Sequence, residues 1–185
     1  SAKPTLERTS YAQYAACCTS SPTRSARIAD INASMKQYLA DDVLVSQGRG
    51  FVLIDRKTSH VPSRKGLVVA LDLEAYDYRP GSKTLIRTTE GTIVDRLPPR
   101  IRVRENAAVE LPHIMVLIDD PQRTVIEPLF ENELPVAYDV PLMLNGGHVR
   151  GWHVNTGAAI EQVKAALAAL ADPDAFASKY DVENK

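Results

Sequence analysis

An α+β fold, with a mixed and mostly antiparallel sheet flanked by helices, is what this chain of 185 residues predicts. Three observations carry the prediction. Branched apolar segments come in pairs split by turn signals, most clearly around Asn145-Gly146-Gly147. Segments with helical apolar spacing stand towards both ends, at 25–39 and 158–171. Between them a dry run, Ile114 to Ile118, lies between His113 and Asp119-Asp120-Pro121 and reads as a central, buried strand.

Taken in order, residues 1–24 hold Pro4, Pro22 and many small polar side chains, and read as an irregular arm. Ser25 suits the cap of a helix running to about Leu39, because Ile28, Ile31, Met35 and Leu39 recur at helical spacing. FVLID (51–55) and GLVVALDL (66–73) follow as a hairpin with a polar, proline-broken linker. Pro80-Gly81 then turns the chain. Residues 100–104 alternate as a strand would, yet Pro98-Pro99 suits the first turn of a helix, so a short helical or irregular segment is expected there. HIMVLID (113–119) is the central strand; TVIEPL (124–129) and PVAYDVPLM (135–143) are proline-interrupted, hence edge strands. HVRGWHV (148–154) completes the second hairpin. In the last long helix Ile160, Val163, Leu167 and Leu170 share a face and alanine is abundant, until Asp172-Pro173 stops it. A short helix over 174–180 follows. One α+β domain is expected over 25–185.

Composition narrows the function. A net charge of -1 supplies no global field for nucleic acid or anionic lipid, and 6% aromatic residues leave little for stacking bases. The apolar runs are too short to span a bilayer, and the first ten residues lack the apolar core of a signal peptide, so a cytoplasmic protein without a membrane partner is expected. Cys17 and Cys18 are adjacent, which suits free thiols better than a disulfide. His60, His113, His148 and His153 suggest no metal cluster.

One stretch concentrates chemistry. From Lys83 to Arg104 six basic residues face only Glu90 and Asp95. Arginines offer bidentate donors to phosphate or carboxylate, and Arg87, Arg96 and Arg100 are the candidates, against the plainer reading of a solvated face. Thr88, Thr89 and Thr92 flank Glu90-Gly91 and would donate to oxyanions or cap the following turn. Glu90 itself is either a general base for a hydroxyl or a solvated, arginine-paired carboxylate. Asp119 and Asp120 end the expected strand, where they would bind Mg²⁺ through water or simply make a turn.

The runs RKGLVVALDLEAYDY, SKTLIRTTEGTIVDRLPPRIRVREN and ELPHIMVLIDDPQRTVIEPL, with INASMKQYL, GFVLIDR and MLNGGHVRGW in the same order, resemble the bacterial form of the domain of unknown function family 1015. The resemblance covers roughly 27–152. It implies relatedness to free-serine kinases of the ParB/sulfiredoxin-like group, with ATP and Mg²⁺ as cofactors, a small amino acid and a nucleotide as partners, and Glu90 as the carboxylate acting on the serine hydroxyl. It also implies a Gly-Asp-Gly-Asn-His-Ser motif after the last long helix, which this sequence does not contain, so the chain is expected to be the N-terminal part of a longer protein. Two function classes follow: an ATP-dependent small-molecule kinase, or a non-catalytic nucleotide- or ligand-binding regulatory module. The oligomeric state stays open.

Overall fold

The computed structural model describes residues 24–180 apart from 78, 80, 81, 87–90 and 112. The arm expected over 1–24 and the cysteine pair lie outside them, save Arg24. Contacts group the chain into two units, one built from 1–47 and 89–116, the other from 48–88 and 117–185.

In the first unit, helix α1 (Arg24–Ala40) meets a short 3-10 turn, Val94–Arg96, that runs directly into helix α2 (Leu97–Arg104). The helical reading of 100–104 holds because Pro98 and Pro99 occupy the first turn, where their missing N–H groups cost nothing. Ile31 of α1 and Val103 of α2 are buried against each other, with Ile28 and Met35 packed alongside. Leu39, expected on the same stripe, stays largely exposed.

The second unit holds the sheet. Strands β1 (Phe51–Lys57), β2 (Arg64–Val68), β3 (Val136–Leu142) and β4 (Gly147–Val154) stand in the order β2-β1-β4-β3. Among the described residues the three strand pairings are antiparallel, and parallel pairing is confined to an isolated bridge between Tyr76 and Ile86. Two hairpins are thus zipped together through β1 and β4, with Leu53 opposite both Leu67 and Trp152. Ala137 is the extra residue of a register shift in β3 between Val136 and Tyr138. One sheet face packs on a 3-10 helix (Glu127–Glu131) and on helix α3 (Gly157–Leu170); α4 (Pro173–Tyr180) follows. Leu53, Leu129, Val154 and Val163 are fully buried there, each worth roughly 1.5–3 kcal/mol of transfer free energy. Among the described residues no helix is long and apolar enough to cross a membrane.

Three expectations are corrected. HIMVLID is not a strand: residues 113–119 have no regular structure, and Ile114 to Ile118 are between 43% and 88% exposed. No strand of the β2-β1-β4-β3 sheet pairs with this segment, and a dry sequence records the burial a segment would favour without naming a partner to provide it. TVIEPL is not an edge strand, since Pro128 sits in the first turn of the 3-10 helix and Leu129 plugs the core. The strand expected over 66–73 ends at Val68, and Asp72 instead caps a 3-10 turn, Leu73–Ala75, by accepting from the Glu74 amide.

Candidate functional site

The start of α2 carries the basic residues that can be placed. Arg96 stands at the N-cap position and Arg100 one turn later, so the two share a helix face. Thr92 lies just ahead of the turn, and all three side chains are exposed. Neither arginine makes an ion pair among the described residues, whereas Arg104, at the far end of the helix, is held by Glu110 at 3.0 Å. The helix start itself offers few amide donors. Leu97 gives its N–H to the Val94 carbonyl, and Pro98 and Pro99 have none to give. An anion bound here would therefore rest on guanidinium groups and hydroxyls, not on the backbone cradle usual at helix starts. Arg87, Thr88, Thr89 and Glu90 lie outside the described residues.

Asp119 and Asp120 belong to the second unit, and both are already engaged. Lys179 of α4 donates to both oxygens of Asp119, at 2.7 and 3.0 Å. Asp120 accepts from the Thr124 hydroxyl at 3.0 Å and the Val125 amide at 2.8 Å, closing the turn after Pro121. Desolvation pushes the Asp120 carboxyl up, but the amides of Thr124, Val125 and Arg123 and the Thr124 hydroxyl together draw its pKa below the usual carboxylate value. These bonds favour the turn reading of the pair.

Two features of the second unit went unread in the sequence. A cleft of about 250 Å³ opens at the start of α3, lined by Asn132, Glu133, Leu134, Thr156, Ala158, Ala159 and Gln162. Thr156 caps α3 by accepting from the Ala159 amide, and Asn132 donates to Gln162 at 3.2 Å. The other feature is a cross-strand cluster on β3 and β4. Asp139 takes His148 Nε2 at 2.9 Å on one oxygen and Arg150 Nε at 3.3 Å on the other. The Arg150 guanidinium lies over the Trp152 ring, 5.1 Å from its centroid, and Trp152 meets Phe130 edge-on at 5.4 Å. The alternation of HVRGWHV already puts His148, Arg150 and Trp152 on one face. Asp139 joins them only through the β3–β4 register, which the bulge at Ala137 shifts by one residue.

No curated protein and no solved structure matches the chain. A family pattern does match, over residues 14–175, and by it this chain belongs to the family described as Protein of unknown function (DUF1015).

Proposed function

We propose that the chain belongs to an ATP-dependent small-molecule kinase whose acceptor is free serine. In this reading Glu90 takes the proton of the serine hydroxyl. The hydroxyl oxygen then attacks the γ-phosphorus, and ADP departs with the electron pair of the broken P–O bond. Thr92, Arg96 and Arg100 bind nucleotide phosphate, joined by Arg87, Thr88 and Thr89 of the same stretch. Arg96 and Arg100 carry the reading: two exposed guanidinium groups on one helix face, without a carboxylate partner among the described residues, directly after the Thr-Glu-Gly-Thr run. Phosphoryl transfer calls mainly for positioning and charge neutralisation, which is what such groups supply. Asp119 and Asp120 are engaged by Lys179, Thr124 and Val125, and no step is assigned to them.

Titration with ATP tests the binding half. Arg96→Ala and Arg100→Ala should each weaken ATP binding about tenfold or more, the worth of a charge-assisted hydrogen bond, with helicity retained. Unchanged affinity in both variants would contradict the assignment. Glu90→Gln should lower turnover by roughly a hundredfold while leaving ATP affinity nearly intact. The engagement of both Asp119 and Asp120 favours a second reading, a nucleotide-binding regulatory module without chemistry. ADP release that depends on serine separates the two.

A further inference from the structure

We propose that the polar end of the β3–β4 face is a binding site for a small carboxylate that also carries an O–H or N–H donor, the chemistry of an amino or hydroxy acid. This site stands on the β3–β4 geometry and does not depend on phosphoryl transfer.

Asp139 organises two different groups with one carboxylate. Its bond to His148 Nε2 places a proton on that nitrogen, so that in the neutral ring Nδ1 is the acceptor, directed away from the carboxylate. Its bond to Arg150 uses Nε only, so the two terminal amino groups of the fork make no ion pair within the cluster. Stacking over Trp152 fixes the guanidinium plane, and Phe130 in turn backs the indole. A carboxylate pairing with the fork and a donor reaching His148 Nδ1 would complete both groups.

The surroundings agree in sign. Lys57 of β1 stands opposite His148, and Asp55 of β1 opposite Arg150. Lys65 of β2 stands opposite Asp55, which is bonded by the Ser63 hydroxyl at 2.7 Å. Lys57, Lys65 and Arg150 thus face Asp55 and Asp139, three cations against two carboxylates apart from His148. That suits a monoanion better than a phosphate dianion. His148 and Arg150 are 44% and 47% exposed, so a ligand has access. The alternative role is a cross-strand network that only pins the hairpin.

Trp152 is the only tryptophan, so its fluorescence reports on the site directly. Titrate the chain with L-serine, acetate and inorganic phosphate, without nucleotide, and follow Trp152 emission and the His148 ring nitrogens by NMR. L-serine should produce saturable changes in both signals. Acetate, which lacks the donor, should bind at least tenfold more weakly. Arg150→Lys, which keeps the charge but loses the fork, should cut serine affinity at least tenfold while the β3–β4 amide shifts stay in place. No response of either signal to L-serine, a response equal for acetate, tighter binding of phosphate, or unchanged affinity in Arg150→Lys would each overturn the proposal. Serine binding here without ATP turnover would refute the kinase reading alone; serine-dependent ATP turnover with no Trp152 or His148 response to serine would refute this site alone.

Discussion

Gly147 shows how a single residue holds the sheet together. It sits at φ +99°, and a Cβ added there would run into the Lys57 carbonyl, so both the backbone conformation and the close approach of β1 require glycine. Gly147→Ala should cost about 3 kcal/mol or more in chemical denaturation, since backbone cannot give way as a side-chain tip can. The turn before it is legible as Asn145-Gly146-Gly147, but its centre is not. The Gly146 amide bonds to the Met143 carbonyl at 2.8 Å, so Leu144 and Asn145 occupy the central positions, with φ of 51° and 56°. Leu144 is 99% exposed and strained there, a place where sequence chemistry points to the wrong pair. Leu144→Asn should stabilise the chain by about 1 kcal/mol. Asp77 gives a pH signature: hydrogen bonds from the Arg79 side chain and amide hold its pKa at about 2, against an ordinary 3.8. Because the folded value is the lower one, its contribution is fully present above pH 3.8 and is lost as pH falls through about 2. An NMR titration of Asp77 should show that midpoint, and Arg79→Ala should return it towards the ordinary value.

Elements written in periodicity were readable. The stripe in 25–39 gives α1, the alanine-rich stripe gives α3, and both hairpins follow from turn residues that set a period-2 pattern apart. Residues 113–119 were misread because an apolar run is the same text whether or not a neighbouring strand exists to pair with it. The consequence is measurable. With Met115 and Leu117 exposed, Met115→Asp and Leu117→Asp should change stability by only about 0.5 kcal/mol, where a buried strand would have been unfolded by either. An unfolded Leu117→Asp variant would restore the strand reading. Helix α3 depends on its cap, so Thr156→Ala should cost about 1 kcal/mol through loss of the bond to the Ala159 amide.

At the scale of the molecule, the order of motifs along the chain gives the family, which the match over 14–175 bears out. The candidate site is legible only in part. Arg96, Arg100 and Thr92 announce themselves as a local excess of donors, because residues close in sequence on one helix stay close in space. The His148–Asp139–Arg150 cluster stays hidden, because Asp139 and Arg150 become neighbours only through the ladder and its bulge. The most direct measurement of the central claim is ³¹P NMR of the full-length protein with ATP and L-serine. O-phosphoserine and ADP appearing in equal amounts, and falling together in Arg96→Ala and Arg100→Ala, is the result this account predicts. ATP left intact, or ADP formed with inorganic phosphate at a rate indifferent to serine, would contradict it.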